Sequence, residues 1–388
     1  MTEVVIVSAV RSAVARGKAD GALAAVHPVD LSAAVMQGAL TRAGVDPATV
    51  EDVQWGCAMP EAAQGLNHAR LAWLRAGLPV TTSAATINRF CSSGLQAVAY
   101  GAQAVMSGMG DAILCGGIEM MSQVPMAGYH TRLSPDLTAQ MIGMGFTAER
   151  VAKRWGITRE AQDAFAAGSH QKAAAALANG VFTPEIVPIP VTRDQWSGGT
   201  RTSTTTHFAV DECPRPDTTA EGLAKLRPAF AAKGTVTAGN ASPYSDGAAA
   251  LLVMSAERAK AEGLAPLARF VSFATGGVEP DIMGMGPIAA VPKALKRAGL
   301  SLSQLRRIEF NEAFAAQALA VMQELAFDPS IVNVNGGAIA LGHPLGATGA
   351  KLTTQLVHEL RRCGGGYGLV TMCIGGGMGA AGIFEVYA

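Results

Sequence analysis

Charged and aromatic residues are both scarce in this 388-residue chain. Asp, Glu, Lys and Arg make up 15% of it, Phe, Trp and Tyr make up 5%, and the formal net charge is zero. The charges form no basic run, so the sequence offers no patch of the kind that binds nucleic acid or an anionic membrane surface. No apolar segment reaches the roughly 18 uninterrupted residues that a membrane-spanning helix needs. We therefore expect neither nucleic-acid partners nor a membrane span.

The cysteines stand singly, without a C-x-x-C pair. They occupy positions 57, 91, 115, 213, 363 and 373. This spacing suits neither a zinc site nor a disulfide framework, so we expect no metal and a reducing compartment. The first residues form an apolar strand without the basic-then-apolar pattern of a secretory signal. A cytoplasmic location is predicted.

Glycine is the residue in excess, at 45 of 388 positions, which is well above its average use of about 7%. One glycine-rich segment, 335–349, carries His343 just before a predicted helix, which suits a base. A second, 369–386, predicts a strand, a glycine turn that presents Cys373, and a return strand. The G-x-G-x-x-G match at 377–382 is not a dinucleotide motif, because too few residues follow it for a βαβ unit.

Cys91 lies where an extended run ends and a helix begins. Residues 80–87 are rich in strand formers, and apolar residues recur at helical spacing over 95–106. Ser92 and Ser93 are candidates for the N-cap, which would place the thiol over the open N–H groups of the first helical turn. That position favours the thiolate, the form that attacks electrophiles. Cys91 is therefore a candidate nucleophile.

Strands and helices alternate over most of the chain. Residues 1–118 predict βα units with a mostly parallel sheet, and the alternation returns from about residue 266. Between them, 119–244 has a looser pattern with two predicted helices, and a buried strand follows at 248–254. The fold class is therefore α/β.

These motifs together resemble those of the thiolase family, and they occur in the family's order. N-R-F-C-S-S-G at 88–94 resembles the nucleophile motif of that family. N-E-A-F at 311–314, G-H-P at 342–344 and C-I-G-G-G at 373–377 resemble its other catalytic motifs. The segment 234–248 resembles the stretch beside bound coenzyme A. From these motifs the chain is identified as a member of the thiolase superfamily.

The resemblance implies a thiolase-like α/β fold. Two similar βαβαβαββ halves would lie in a layered α/β/α/β/α arrangement with an inserted loop domain. We place the N-terminal half at 1–118 with 245–265, the loop domain at 119–244 and the C-terminal half at 266–388. The sequence alone does not establish the similarity of the two halves.

The resemblance also implies catalytic roles. Cys91 would be the nucleophile, His343 the base that takes its proton, and Cys373 the acid/base that serves the α-carbon of acetyl-CoA. Asn311 would position a water in one oxyanion hole together with His343. The backbone N–H groups of Cys91 and Gly375 would form the other oxyanion hole.

Two further positions resemble contacts of coenzyme A. Ser242 would contact the pantetheine arm, and Arg215 would lie near the nucleotide. Coenzyme A and acyl-CoA would be substrates, with no tightly bound cofactor. Glu312, beside Asn311, is suited to holding its loop as well as to catalysis.

The predicted function is reversible, CoA-dependent cleavage of 3-ketoacyl-CoA to acetyl-CoA and a shortened acyl-CoA, through a Cys91 acyl-enzyme, in fatty-acid β-oxidation. The alternative is a biosynthetic acetoacetyl-CoA thiolase that condenses two acetyl-CoA. Gly143 stands where biosynthetic enzymes carry His, and 121–143 is shorter than their tetramerisation arm, which favours the degradative class.

Two alternative functions share the same fold but fit the motifs less well. A ketosynthase would lack Cys373, and a noncatalytic thiolase-like lipid carrier would lack at least one of Cys91, His343 and Cys373. A homodimer is predicted, with a tetramer or a complex with a multifunctional β-oxidation subunit left open.

Overall fold

The computed structural model describes residues 2–126, 128–129, 131–137 and 141–388. The strands are β1 (Val4–Arg11), β2 (Ala15–Arg16), β3 (Asp52–Cys57), β4 (Ser83–Ile87), β5 (Ala112–Met120), β6 (Ile189–Ser197), β7 (Thr200–Phe208), β8 (Ser245–Ser255), β9 (Ala268–Gly277), β10 (Leu305–Phe310), β11 (Gly366–Ile374) and β12 (Met378–Val386). The α-helices are α1 (Pro28–Ala43), α2 (His68–Arg75), α3 (Ser93–Met106), α4 (Met144–Trp155), α5 (Arg159–Ala178), α6 (Ala220–Ala224), α7 (Ala256–Ala261), α8 (Gly286–Ala298), α9 (Ala315–Glu324), α10 (Ala338–Leu341) and α11 (Leu345–Arg362).

Helix α1 shows how local sequence sets the bounds of an element. Pro28 occupies the first helical position, where its missing N–H costs nothing, and the His27 side chain accepts from the backbone N–H of Val29. Gly44 ends the helix in the left-handed conformation, with φ 67°. These local signals account for both ends of α1.

Ten strands of the described residues form one sheet in the order β10-β11-β12-β9-β1-β8-β5-β3-β4, with β2 on β8. Each half of the sheet uses its strands in the same spatial order: third, second, fourth, fifth, first. In the second half the third strand is reduced to a single parallel bridge between Ile308 and Val332. The halves meet where β1 and β9 pair over two positions, Val5 with Arg269 and Ile6 with Ala268.

The mostly parallel pairing predicted for residues 1–118 is confirmed within that range, where β3 pairs parallel with both β4 and β5. The strands outside that range change the character of the whole sheet. Parallel ladders join β3 to β4, β3 to β5 and β10 to β11. Antiparallel ladders join β5 to β8, β8 to β1, β1 to β9, β9 to β12 and β12 to β11. The last two strands of each half pair antiparallel with each other, and the first strands of the two halves, β1 and β9, lie in the middle of the sheet. The sheet is therefore mixed.

Helices α3 and α11 pack against each other and against strands of both halves in one buried core. Their backbones approach closely because glycine stands at the contact. A Cβ on Gly349 would lie 2.3 Å from the backbone nitrogen of Leu95, and one on Gly94 would lie 2.8 Å from that of Ala350. Cys91 and His343 directly precede these two helices, so the crossing brings both residues to one region.

The residues between β5 and β8 include α4, α5, α6 and the hairpin β6–β7. Arg11, fully buried at the end of β1, holds this region to the sheet through Asp211, at 2.7 and 2.9 Å, and Glu185, at 2.6 Å. The three predicted domain boundaries stay a prediction. Across the residues described, no helix is long and apolar enough to cross a membrane.

Candidate active site

Cys91 lies in a 3-10 turn, Phe90–Ser92, between β4 and α3. Phe90 has φ 44°, a left-handed conformation that is strained for a bulky side chain. Ser92 occupies the N-cap position of α3, but its hydroxyl makes no capping bond and donates to the carbonyl of Arg89 instead. Ser93 likewise donates to the carbonyl of Phe90. The expected side-chain cap is wrong because the 3-10 turn offers carbonyls at closer reach.

The Cys91 thiol is 2% exposed. Burial raises its pKa to about 12, and hydrogen bonds from the backbone N–H groups of Gly375 and Cys91 itself offset only part of that effect. The expected thiolate is therefore wrong for the resting protein. Desolvation outweighs the helix terminus, and Cys91 rests as a neutral thiol.

His343 is fixed at its backbone and at both ring nitrogens. Its N–H donates to Ser245 Oγ at 3.1 Å. Nδ1 lies 2.6 Å from Thr348 Oγ1, and Nε2 lies 3.3 Å from Asn311 Nδ2. Burial lowers the pKa of His343 to about 3, and the charge of Lys351 acts in the same direction. The imidazole is neutral at physiological pH and can accept a proton.

Cys373 is buried near the end of β11, beside Cys91. Burial raises the pKa of the Cys373 thiol, and the neighbouring Cys91 raises it further. The chain then turns through three glycines. Gly376 and Gly377 have φ of 79° and 83°, which require glycine. At Gly375 a Cβ would meet only ordinary contacts of 3.8 Å, with Met144 and Phe90.

Asn311 follows β10, and its N–H donates to the carbonyl of Thr371 on β11 at 3.0 Å. Its side-chain Oδ1 is buried and has no partner among the described residues. Glu312 points elsewhere, accepting bonds from Ser169 Oγ, Asn333 Nδ2 and the N–H of Ile339. Its contacts are those of a residue that holds the loop before His343.

Glu119 was not among the predicted site residues, although it is a lone carboxylate in an otherwise apolar buried strand. It accepts bonds from the N–H groups of Ala58 at 2.9 Å, Met59 at 3.2 Å and Gly346 at 2.9 Å, and from Gln64 Nε2 at 2.7 Å. Burial raises the pKa of Glu119. It thereby ties the ends of β3 and β5 to the start of α11, around Cys91.

The two predicted CoA contacts lie in different places. The backbone N–H of Ser242 donates to the carbonyl of Ala313 at 3.0 Å, so Ser242 lies beside the segment that carries Asn311. Arg215 is exposed, and its N–H donates to His170 Nδ1 at 3.1 Å. The structure thus places Ser242 beside the segment that carries Asn311, and Arg215 at the surface beside α5.

Comparison with known proteins agrees with this geometry. The thiolase N-terminal domain family matches residues 4–257, and the thiolase C-terminal domain family matches residues 264–386. The chain belongs to the thiolase family.

Full-length relatives of this thiolase carry two different names. The 3-ketoacyl-CoA thiolase of Bacillus subtilis (strain 168) is 54% identical over 391 residues, covering 100% of both chains. The acetyl-CoA acetyltransferase of Pseudomonas aeruginosa is 49% identical and covers 98% of each. The crystal structure of the Bacillus anthracis acetyl-CoA acetyltransferase superposes with a TM-score of 0.90 at 42% identity, covering 100% of this chain and 99% of that one.

As a thiolase, the protein is an acyltransferase that acts on CoA thioesters. The candidate site combines a neutral thiol, a neutral imidazole, a second buried thiol and backbone N–H groups. Before substrate binds, such a set holds no isolated buried charge. It can pass a proton between sulfur and nitrogen when the reaction begins.

Proposed function

We propose that this thiolase cleaves 3-ketoacyl-CoA, as in fatty-acid β-oxidation, through an acyl-enzyme on Cys91. The observation that carries the proposal is the placement of Cys91 and His343 at the crossing of α3 and α11, with the buried thiol of Cys373 near Cys91. A thiol that rests unionised needs a base at the moment of attack. Burial keeps the His343 imidazole unprotonated, so it has a lone pair that can accept the thiol proton.

In the proposed cleavage, the Cys91 proton passes to His343 as sulfur attacks the C3 carbonyl. The bond between C2 and C3 then breaks. Its electron pair stays on C2 of the departing acetyl-CoA, which takes a proton from Cys373. The thiol of a second CoA next attacks the acyl-Cys91, releasing the shortened acyl-CoA and the Cys91 sulfur. The thiol proton of CoA passes to the Cys373 thiolate, and the proton held by His343 returns to the Cys91 thiolate. All three groups thereby regain their resting protonation.

Two oxygens gain negative charge during this sequence, and donors are available for both. The N–H groups of Cys91 and Gly375 already point at the sulfur, where the acyl oxygen would develop its charge. Asn311 and His343, 3.3 Å apart, would hold a water that serves the thioester oxygen of acetyl-CoA. Ser242 and Arg215 are proposed to contact the pantetheine arm and the nucleotide of coenzyme A.

The space beside Gly143 supports the degradative class. A Cβ there would meet only the ring of Phe146, at 3.4 and 3.7 Å, and Phe146 itself is 52% exposed. Met144, one residue on, lies beside the Gly375 position. A substrate larger than acetoacetyl-CoA could therefore extend between these apolar side chains. The neighbouring stretch 121–143 lies partly outside the described residues, and its shortness stays a prediction.

The second candidate is a biosynthetic acetoacetyl-CoA thiolase, because relatives at 49% and 48% identity are named acetyl-CoA acetyltransferase. One assay separates the two. CoA-dependent cleavage of acetoacetyl-CoA is compared with that of a long-chain 3-ketoacyl-CoA, and the degradative proposal expects both to be cleaved. Cleavage of the four-carbon substrate alone would reverse the choice.

A variant sharpens the same assay. Gly143→His places a side chain against Phe146 and should lower kcat/KM for the long-chain substrate while sparing acetoacetyl-CoA. Gly168→His, on α5 at a position where a Cβ meets nothing within 4 Å, serves as the control. If Gly143→His lowered kcat/KM equally for both substrates, the space beside Gly143 would no longer support the degradative class.

We also propose a homodimer that forms at β4. This strand ends the sheet, and an edge strand offers unpaired backbone groups to a partner. Apolar side chains surround it, including Leu66 at 87% exposure and Val80 at 71%. At the opposite end, β10 is covered by the bridge at Val332. A second copy joined by a two-fold axis would cover the β4 edge and these side chains together.

The cytoplasm stays our proposed location, on the basis of the six cysteines, each of which is free in the structure. Fractionation of the native cells with activity as the marker tests it. A partner subunit for β-oxidation would appear in the same preparation as a larger active complex.

A further inference from the structure

Each ring nitrogen of His343 has its own neighbour. Thr348 Oγ1 lies 2.6 Å from Nδ1 and also donates to the carbonyl of Pro344 at 3.0 Å. Asn311 Nδ2 lies 3.3 Å from Nε2. Thr348, Asn311 and His343 are all at least 95% buried. The protein, rather than bulk water, therefore decides which nitrogen carries the proton.

The Thr348 hydroxyl has a single hydrogen. When it donates that hydrogen to Pro344, its oxygen can only accept from the ring, which requires hydrogen on Nδ1. Asn311 Nδ2, a donor, then faces the bare lone pair of Nε2. Both contacts are consistent with one tautomer, in which Nε2 is free to take a proton.

We propose that Thr348 is a positioning residue of this thiolase, whose hydroxyl keeps the His343 proton on Nδ1 and so keeps Nε2 as the base. The proposal rests on the assignment of His343 as the base that activates Cys91. Thr348 touches neither substrate nor sulfur in this role. It acts through the imidazole alone.

A competing arrangement shows why the hydroxyl matters. Rotation of the Asn311 amide by half a turn would present Oδ1, which has no partner among the described residues, to a proton on Nε2. Nδ1 would then need a donor, and Thr348 would have to give up its bond to Pro344. Without any hydroxyl at 348, a proton on Nδ1 would be a buried donor with no acceptor, at a cost of about 1–3 kcal/mol. The proton would move to Nε2 and block the base.

The test uses two substitutions at 348 and a matched control. Thr348→Val keeps the shape and removes the hydroxyl, whereas Thr348→Ser keeps the hydroxyl. Thr353→Val is the control, because Thr353 is buried on the same helix and donates to the carbonyl of Gly349, four residues back, at 2.8 Å. It loses the same kind of bond without touching His343.

Exchange of labelled CoA into acetyl-CoA isolates the acylation of Cys91 from carbon–carbon chemistry. Thr348→Val should lower the kcat of exchange by about 10- to 100-fold with little change in KM. Thr348→Ser should recover most of that loss, and Thr353→Val should match the unaltered protein. A Thr348→Val protein with unaltered Tm and unaltered kcat would overturn the proposal.

A measurement on the unaltered protein covers the case in which Thr348→Val fails to fold. In ¹⁵N-histidine protein, with His343 assigned by comparison with His343→Gln, we expect a protonated Nδ1 and an unprotonated Nε2 at pH 7. Protonation at Nε2 overturns the proposal. The same variants distinguish failure of the proposed base from failure of the proposed positioning residue. Full exchange activity in His343→Gln refutes His343 as the base. An inactive His343→Gln together with a fully active Thr348→Val refutes only the role of Thr348.

Discussion

Two buried thiols, Cys91 and Cys373, are close enough to affect each other's ionisation, and we expect them to serve different steps. Cys373→Ala should leave the exchange of labelled CoA into acetyl-CoA largely intact, because acylation of Cys91 needs only the nucleophile, its base and the N–H donors. Condensation and cleavage should fall by about 10²- to 10⁴-fold, as loss of an acid/base commonly causes. Cys115→Ala, a buried cysteine on β5, is the control. Near-normal turnover in both directions would exclude Cys373 as the proton carrier.

Gly375 offers a test of space rather than of proton transfer. Gly375→Ala should fold with an unaltered Tm, since the new Cβ meets only contacts of 3.8 Å. It should lower kcat/KM by about 10- to 100-fold, because the methyl group stands beside Cys91 where the acyl group would lie.

Gly377→Ala is the contrasting variant, with a Cβ that would lie 2.3 Å from the carbonyl of Val278. It should lower Tm clearly. If Gly375→Ala instead lost stability and kept its specific activity, the glycine at 375 would serve the fold and not the substrate.

The candidate catalytic residues could be proposed from sequence motifs, but their charge states could not. Cys91, His343 and Cys373 stand in recognisable motifs, whereas their pKa values follow from burial that arises only when distant segments pack. Thr348 lies just five residues after His343, yet its hydroxyl contact depends on the turn at Pro344. Glu119 had a visible signal, a charge in an apolar strand, with partners that come from three separate segments.

At the scale of elements, α2 begins at a buried histidine that links stability to pH. His68 Nε2 lies 2.9 Å from Ser32 Oγ, and burial lowers the pKa of His68 to about 4. The unfolded chain takes up this proton near pH 6.5, whereas the folded chain does so only near pH 4, so folding stability falls as pH falls between those values. His68→Gln should reduce the loss of unfolding free energy between pH 7 and pH 5 by about 2 kcal/mol.

Urea unfolding at the two pH values measures this difference. His207→Gln, at an exposed position on β7, should leave the loss unchanged. The other buried histidines and the buried acids are common to all three proteins and cancel in the comparison. An equal loss in His68→Gln and the unaltered protein would show that His68 is protonated in the folded state near its ordinary pKa.

Element bounds are predictable where the signals at the ends are local, and the parallel pairing within residues 1–118 was predicted, whereas the antiparallel strands that complete the sheet were not. Proline marks the start and glycine the end of α1, Pro28–Ala43. The mixed sheet depends on β8 returning antiparallel after a long insertion, which no local pattern encodes. The glycine contact between α3 and α11 likewise joins residues 94 and 349, and its tightness appears only in three dimensions.

At the scale of the whole molecule, the proposed dimer makes a direct prediction. Light scattering at micromolar concentration should give about twice the chain mass of 39.7 kDa. The interface should bury more than about 2,000 Å² in total, as stable homodimers do. Leu66→Asp with Val80→Asp should shift the protein toward monomer, because both charges would be buried between the two copies.

Met109→Asp is the control, an apolar residue of comparable exposure, 85%, in the turn between α3 and β5. It should stay dimeric. A stable, active monomer in the unaltered protein would refute the dimer. A tetramer would keep the β4 contact and remove the argument for the degradative class that rests on 121–143.

The repeat of strand order in the two halves was hidden in the sequence. The family resemblance implied it, and the sheet shows it as third, second, fourth, fifth, first in each half. The reason for the weak signal is visible at Val332, where a whole strand of the first half corresponds to one bridge in the second. Many different sequences are compatible with one strand order. The repeat is therefore visible in the order of the strands and not in the identity of the residues.

The position of β1 in the sheet has a consequence for biosynthesis. This early strand lies between β8 and β9, so its two edges stay open until the ribosome has made roughly 230 more residues. At about 5–20 residues per second, that interval is on the order of 10–50 s. During this interval the apolar V-V-I-V segment of the nascent chain lacks both neighbouring strands, so it is prone to aggregate. The yield of folded protein on overproduction should therefore increase with chaperones that bind unfolded chains and with a lower growth temperature. Substitutions at the protein surface should change that yield less.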